Sequence, residues 1–215
     1  MESEQAYKGL LILTKKYKFN ELHSHIKNIG PLKIKLSKLK FDHHLCKIIV
    51  GQQISTKAAD AIWVRVEKIL KGKLPKKPTN NLQKKLKDAG LSARKVDYMI
   101  GIIYNDEIRG SNRRKLKTKS TEEFSKLLLS IKGIGKWTVD MSRIFYLGDS
   151  DVMPLTDLGI IYAHKIAFPK KKIEEKFYKQ FSPYNSYLSL FIGVVLFKIL
   201  LILKISSFGS NGLGK

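Results

Sequence analysis

The chain has 215 residues, 43% of them hydrophobic, which suffices for one compact domain or for two small lobes sharing a cleft. Its 41 lysines and arginines against 18 acidic residues give a formal charge of +23. This charge favours a polyanionic partner such as a nucleic acid, although lysine-rich surfaces also serve solubility. The single cysteine, Cys46, excludes an internal disulfide and any four-cysteine iron-sulfur or zinc site.

The spacing of apolar residues predicts helices along most of the first half of the chain. The clearest period-two pattern is LKIKLSKLK at Leu32 to Lys40, which indicates an extended or strand-like connector. After a helix at Phe41 to Val50, Ser55 is placed to cap a second helix that Gly72 ends. A shorter helix near Asn81 to Ala89 follows.

The second half continues the helical pattern. Ser92 to Ile108 predicts one helix, and the basic tract RGSNRRKLKTKS after it predicts a solvated loop. The next helix opens at Thr121, and a polar bridge from Gly148 to Thr156 leads to Asp157 and a helix at Leu158 to Phe168. An all-α fold with little or no β-sheet follows.

A long apolar run near the C-terminus, Leu188 to Leu203, is interrupted only by Lys198. It is shorter than the roughly 20 residues that usually span a bilayer, which favours a buried core helix over a membrane anchor. Both alternatives fit an apolar run without periodicity.

A glycine-rich break separates two helices at IKGIGKW, residues 131–137. We expect Gly133 and Gly135 to take positive φ and Ile134 to pack inward. The free N–H groups at the start of the following helix would then suit a phosphate oxygen, although an ordinary helix-to-helix turn shows the same glycine pattern. The lysines that flank this hairpin are Lys132 and Lys136.

Three blocks together resemble the helix-hairpin-helix DNA glycosylases. IKGIGKWTVDM followed by DVMPLTDLGI is similar to that family's hairpin and the catalytic aspartate about twenty residues later. IVGQQISTKAADAIWVRV at 49–66 and SPYNSY at 182–187 resemble the alkylation-repair branch, the 3-methyladenine glycosylase II type. The resemblance implies two helical lobes with a DNA-lesion cleft between them, residues 1–40 plus 150–215 forming one and 41–149 the other. The helix-hairpin-helix would occupy about 124–147.

The same resemblance assigns the catalytic carboxylate to Asp157. A carboxylate beside the anomeric carbon stabilises an oxocarbenium-like sugar and helps to orient or deprotonate water. The alternative is that Asp157 only caps the helix that follows it. Asp149 and Asp151, the nearby acids, are typical of a polar turn.

The resemblance also bears on the reaction type, because strand-cutting relatives carry a lysine second after the hairpin's last glycine. Here that residue is Trp137, and Lys136 stands one position early. The sequence therefore predicts a monofunctional enzyme, without lyase activity, that flips alkylated purines from duplex DNA, hydrolyses the N-glycosidic bond and leaves an abasic site. A non-catalytic helix-hairpin-helix DNA-binding protein is the alternative.

For the base pocket, Trp137 is the first candidate, because an electron-deficient purine stacks on a π-rich wall. Met141 would share the wall, Tyr184 and Tyr187 would edge the cleft, and Trp63 is expected in the core. Flipping leaves a hole in the stack that a wedge must fill. The resemblance gives the wedge as Gln53 or Ile54; the alternative is that the glutamines of this loop cap helix ends.

No redox cofactor is needed, and the scattered histidines do not form a metal site. The resemblance implies a monovalent cation, Na⁺ or K⁺, at hairpin carbonyls. The expected partner is double-stranded DNA containing damaged bases, with no obligate protein partner, no membrane and a monomeric state. The expected location is the cytoplasm, at the nucleoid, in a prokaryote and the nucleus in a eukaryote.

Overall fold

A computed structural model of the chain describes residues 2–193. Within that span every regular element is helical and no strand forms, so the predicted all-α class is confirmed. Leu36–Leu147 form one compact unit, here the central unit, and the segments on either side of it in the sequence form a second, here the flanking unit.

The central unit begins with α3, and side-chain caps fix where several of its helices start. Ser55, Thr79 and Ser92 each accept a backbone N–H three residues ahead, and Ser120 forms a reciprocal capping box with Glu123. The predicted cap at Ser55 is therefore confirmed. The helices are α3 (Phe41–Gly51), α4 (Thr56–Lys71), α5 (Asn80–Asp88), α6 (Ala93–Ile103), α7 (Asp106–Arg109), α8 (Arg113–Leu116), α9 (Thr121–Leu129) and α10 (Lys136–Ser142), followed by a π-helix at Arg143–Leu147.

One core holds this unit together. Apolar side chains from α3, α4, α5, α6 and α9 are buried in a single cluster that includes Phe41, Met99 and Phe124. Trp63 belongs to this cluster, which confirms its expected place in the core. Burying such side chains contributes about 1.5–3 kcal/mol each relative to exposure, which is the main force that folds the unit.

Two sequence expectations need correction in the central unit, and the first is the single helix expected at Ser92 to Ile108, which is interrupted between α6 and α7. The basic tract is not a solvated loop: it includes α8, Leu116 is fully buried, and Arg113 Nε donates to the Tyr146 carbonyl oxygen at 2.6 Å. The connector at 32–40 is extended but pairs with no strand in the described chain. Its Ser37 carbonyl accepts from the Arg113 guanidinium, so the basic tract folds because tertiary contacts engage Arg113 and Leu116.

The flanking unit contains α1 (Ser3–Lys16), α2 (Asn20–Ile29), α11 (Leu158–Ala167), α12 (Glu175–Tyr178), a 3₁₀ turn at Lys179–Phe181 and a helical stretch at 185–193. Phe168, Phe181 and Phe191 are buried in its core. His164 is buried there too, with Nδ1 at 2.7 Å from the Tyr178 hydroxyl and Nε2 at 2.8 Å from the Lys171 carbonyl oxygen.

The C-terminal apolar run is described only at its start. Leu188, Phe191 and Ile192 are buried in the core of the flanking unit, as the core-helix alternative predicts. The rest of that run, from 194 onward, lies outside the described residues. None of the helices within 2–193 is long and apolar enough to cross a membrane.

Candidate functional site

The glycine-rich break forms a tight turn between α9 and α10. Gly133 has φ +88°, and a Cβ at that position would lie 2.3 Å from the ring of Tyr98 on α6, so only glycine fits. Ile134 is buried in the central core, which agrees with its expected role as the hairpin's apolar anchor. Gly135 differs from expectation, because its φ of −111° is open to any residue.

The first turn of α10 has no side-chain cap. Gly135 is the residue before the first turn of the helix and has no side chain with which to cap it. The helical path runs on through the π-helix to Leu147, so its dipole places partial positive charge at the hairpin. The main-chain amides there suit an anionic oxygen.

Both hairpin lysines are held by carboxylates, a feature that sequence reasoning missed. Lys132 Nζ lies 2.7 Å from Asp97 Oδ2, and this hydrogen bond raises the pKa of Lys132. Lys136 Nζ lies 2.6 Å from Asp140 Oδ1, and Asp140 is only 1% exposed. The second pair spans one helical turn and was visible in the sequence as an i, i+4 spacing, whereas the first joins residues 35 apart.

The GQQIS loop follows α3 and contacts the hairpin. Gln52 Nε2 donates to the Gly133 carbonyl oxygen at 3.4 Å. The Lys95 ammonium donates to the carbonyl oxygens of Val50 at 2.8 Å and Gln52 at 2.7 Å, and thereby satisfies the C-terminal end of α3. Gln52 is therefore part of the internal structure of the unit, and its side chain bonds the hairpin turn instead of capping a helix end.

The next two residues of that loop point away from the core. Gln53 is exposed, with a left-handed φ of +57°, and Ile54 is 38% exposed. A non-glycine residue at positive φ is uncommon and carries a conformational cost, which marks Gln53 as a strained position of this loop. These are the two wedge candidates, and the loop presents both at its tip.

The aromatic and sulfur-bearing pocket candidates on α10 lie one turn apart. Trp137 and Met141 are both half-buried, and their i, i+4 spacing puts them on one face of the helix. Neither belongs to the central core cluster. Asp140, between them in sequence, is turned to the buried side with Thr138 and Val139.

Asp157 lies in the flanking unit at the first turn of α11. Its Oδ1 accepts the Ile160 N–H at 2.9 Å, so it caps that helix, as the alternative reading of this residue states. Its own N–H donates to the Pro154 carbonyl oxygen at 3.0 Å. The carboxylate is half-buried, and its bond to the Ile160 N–H restrains its orientation.

The chain that leads to Asp157 is anchored by the SPYNSY segment. Ser186 Oγ accepts the Val152 N–H at 2.9 Å and donates to the Asp149 carbonyl oxygen at 2.7 Å. Asp151 Oδ1 accepts from Asn185 Nδ2 at 2.6 Å, and Asp149 Oδ1 accepts the Asp151 N–H at 3.0 Å. Both acids therefore serve the polar turn, as their sequence setting predicted.

Tyr184 and Tyr187 are set into the flanking unit. A Cβ at Gly9 on α1 would lie 2.3 Å from the Tyr184 ring, so this ring rests directly on the α1 backbone. Tyr187 is buried in the unit's core, where burial raises its pKa. Tyr184 is only half-exposed, so only the exposed part of its ring is available to contact a base.

Metal ligands of the usual side-chain types do not gather in the described residues, where no group of three His, Cys, Asp or Glu could hold an ion. The hairpin offers main-chain oxygens instead. The Ile131 carbonyl accepts the Ile134 N–H at 3.1 Å and the Gly133 carbonyl accepts from Gln52, which leaves each oxygen a second lone pair. Carbonyl oxygens are hard ligands suited to Na⁺ or K⁺.

Comparison with known proteins gives consistent relatives. No family model matches the chain. It is 34% identical over 139 residues to DNA-3-methyladenine glycosylase 1 of Schizosaccharomyces pombe, and 33% identical over 112 residues to a protein of Bacillus subtilis named as a putative DNA-3-methyladenine glycosylase. The matches cover 62% and 50% of this chain, and they span 60% and 39% of those two relatives.

Solved structures share the fold. The S. pombe 3-methyladenine DNA glycosylase in complex with abasic DNA matches with a TM-score of 0.68 at 26% identity, covering 88% of this chain and 95% of that one. A DNA-3-methyladenine glycosidase of Bacillus halodurans matches with a TM-score of 0.69 at 27% identity, covering 87% and 88%.

Hairpin, loop and helical fold thus coincide with likeness in sequence and in structure to DNA-3-methyladenine glycosylases.

Proposed function

We propose that this chain is a monofunctional DNA glycosylase that binds duplex DNA, takes up a flipped alkylated purine and hydrolyses its N-glycosidic bond. The Gln52 to Gly133 hydrogen bond carries the proposal. It ties the loop that would fill the vacated stack to the hairpin that would hold the strand, within one compact unit. A passive DNA clamp has no need of a wedge loop beside its hairpin. Similar proteins are named 3-methyladenine DNA glycosylases, which supports the same substrate class.

The strand would be gripped mainly by main-chain amides. Gly133 turns the backbone, and the amides at the start of α10, strengthened by the helix dipole, would bind a phosphate oxygen. Because Lys132 and Lys136 already face Asp97 and Asp140, they would add less net charge than two unpaired lysines. Na⁺ or K⁺ at hairpin carbonyls, if bound, would add positive charge beside the phosphate.

Asp157 would supply the carboxylate that stabilises the oxocarbenium-like sugar and helps to orient or deprotonate the attacking water. Its cap to Ile160 supports this role, because a carboxylate held in one rotamer needs no reorganisation during the reaction. Capping and catalysis are therefore compatible. Trp137 and Met141 would contact the flipped base from one face of α10, and Tyr184 is a further candidate for contact with the base.

The absence of lyase chemistry is the finer part of the proposal. A Schiff base needs a neutral amine in place of Trp137. The adjacent Lys136 already has its Nζ in an ion pair, at 2.6 Å from the buried carboxylate of Asp140. Borohydride treatment during turnover should therefore trap no covalent adduct with DNA, and a trapped adduct would contradict this part of the proposal.

The decisive experiment is release of free base from methylated duplex DNA by the wild type and by Asp157→Asn. Asparagine caps helices as well as aspartate does, so this variant keeps the fold while losing the negative charge. We expect it to bind DNA normally and to release no base. Full activity of Asp157→Asn would contradict the assignment. DNA binding without base release by the wild type would instead favour the non-catalytic DNA-binding protein.

A further inference from the structure

A cavity of about 630 Å³ opens in the central unit between the end of α4 and the start of α5. Its apolar part comes from Ile69, Leu74, Pro75 and Leu82, and its polar part from Thr79, Asn81 and three lysines. The lysines are Lys68, Lys73 and Lys85. We propose that this basic cavity is a second DNA-backbone site, which binds duplex phosphates outside the contact made by the hairpin. The inference rests on the proposed function only in taking DNA as the partner.

The charge of the basic cavity is not neutralised locally. No acidic residue lines it, and within the described chain Lys68, Lys73 and Lys85 have no carboxylate partner. This is the opposite of the hairpin, where both lysines are paired. An unpaired lysine neutralises a DNA phosphate more fully than a paired lysine does, and so releases more of the DNA's counterions. The basic cavity therefore offers a larger electrostatic gain on DNA binding than the two hairpin lysines do.

The basic cavity lies away from the hairpin along α6. The hairpin rests on Tyr98, in the body of that helix, through Gly133. The loop that borders the cavity is held at the far end, where the Tyr104 hydroxyl donates to the Pro75 carbonyl oxygen at 3.0 Å. Tyr98 and Tyr104 are six residues apart, which corresponds to a rise of about 9 Å along the helix and places the two side chains on different faces of it. One phosphate could not occupy both places.

The chemistry of the lining favours backbone phosphates over a specific small ligand. All three lysines are exposed, as are Thr79 and Asn81, so no buried polar group is poised to read the shape of a ligand. Flexible ammonium groups bind as point charges and tolerate any sequence. The first turn of α5, capped by Thr79, adds positive dipole at the same edge.

The test is the salt dependence of binding to a lesion-free duplex. We compare the wild type with the cavity triple variant Lys68→Gln, Lys73→Gln and Lys85→Gln by fluorescence anisotropy over a range of salt concentrations. Each lost phosphate contact makes the slope of log K against log salt shallower by about 0.9. We expect a change of about 2 to 3 and at least tenfold weaker binding near 0.1 M salt.

A matched control removes the same charge elsewhere. Lys15, Lys27 and Lys33 are exposed in the flanking unit, and their change to glutamine should leave the slope nearly unaltered. Equal losses in both triple variants would show that net charge alone matters and would overturn the proposal. The proposal would also be overturned if the cavity variant kept the wild-type slope and at the same time lost the increase in Tm that inorganic phosphate gives the wild type. In that case the cavity would bind free phosphate.

A second measurement locates the contact directly. Cys46, the only cysteine, is buried, so Lys73→Cys can be labelled alone with an azidophenacyl photocrosslinker. We expect it to crosslink to duplex DNA well above a Lys27→Cys control, and no excess over that control would overturn the proposal. Failure of the proposed enzymatic function would appear separately, as no base release from methylated DNA by the wild type.

Discussion

Gln52 donates its side-chain amide to the carbonyl oxygen of Gly133, 81 positions later in the chain. The loop that ends α3 and the hairpin that precedes α10 are therefore coupled in one compact unit. At 3.4 Å the bond is long, so its value lies in holding the loop in register with the hairpin more than in bond strength.

This coupling predicts different results for adjacent glutamines. Gln52→Ala should lower the free energy of unfolding by about 1 kcal/mol, because the loop loses its contact with the hairpin. Gln53→Ala should leave DNA binding nearly intact but reduce base flipping, because the exposed side chain no longer fills the stack. Urea unfolding measures the stability of Gln52→Ala. For Gln53→Ala, 2-aminopurine fluorescence measures base flipping and fluorescence anisotropy measures DNA binding. Equal losses of flipping and binding in Gln53→Ala would count against its role as the wedge.

The two hairpin glycines should also differ. In Gly133→Ala the new Cβ meets the Tyr98 ring at 2.3 Å and the backbone keeps φ +88°, so we expect destabilisation of about 2–4 kcal/mol. Gly135→Ala is the matched control: nothing lies within 4 Å of its Cβ, and the cost should stay under about 1 kcal/mol. Denaturant midpoints measure both, and similar costs at the two positions would contradict the local geometry.

Ser186 is expected to be a positioning residue for Asp157. Ser186→Ala leaves the buried Val152 N–H without an acceptor and should destabilise the protein by about 1–3 kcal/mol. If the proposed reaction holds, kcat for base release should fall several-fold while the Kd for DNA changes little, and Ser186→Thr should restore part of it. Ser189→Ala, one turn along, removes only a bond to the Ser186 carbonyl and is the control. A loss of kcat as large in Ser189→Ala would show that only general stability is affected.

Stability should depend on pH through His44. Burial, followed by the charges of Arg113 and Lys47, lowers the pKa of His44 to about 4, and its Nε2 has no partner in the described structure. His44 binds a proton near pH 6.5 in the unfolded chain but not in the folded chain. The contribution of neutral His44 to the free energy of unfolding is therefore fully present above that pH. It is lost as the pH falls from about 6.5 to 4, by up to about 3 kcal/mol.

The check is urea unfolding at several pH values. His44→Phe keeps a ring among Phe41 and Tyr146 but binds no proton, so its pH slope over this range should be smaller than that of the wild type by one proton. His43→Gln, the neighbouring change, should retain the slope. An unaltered slope in His44→Phe would assign the effect to other groups.

The sequence by itself determined most of the helices, but not α8 or the break between α6 and α7, and it also determined the caps at Ser55 and Asp157 and the position of the hairpin. These features depend on residues within a few positions of one another, so the helical period and capping side chains are enough to predict them. The apolar anchor Ile134 and the core position of Trp63 followed from the same local pattern.

Tertiary structure decided which polar groups meet. Lys132 finds Asp97 on another helix, and Arg113 turns an expected loop into a folded segment by binding the carbonyl oxygens of Ser37 and Tyr146. No local sequence pattern predicts these partners, because the packing of the helices decides which groups meet. The partners are separated by 33 to 76 positions in the sequence. The basic cavity arises in the same way, from the approach of α4 and α5 around a loop whose sequence alone shows only lysines and prolines.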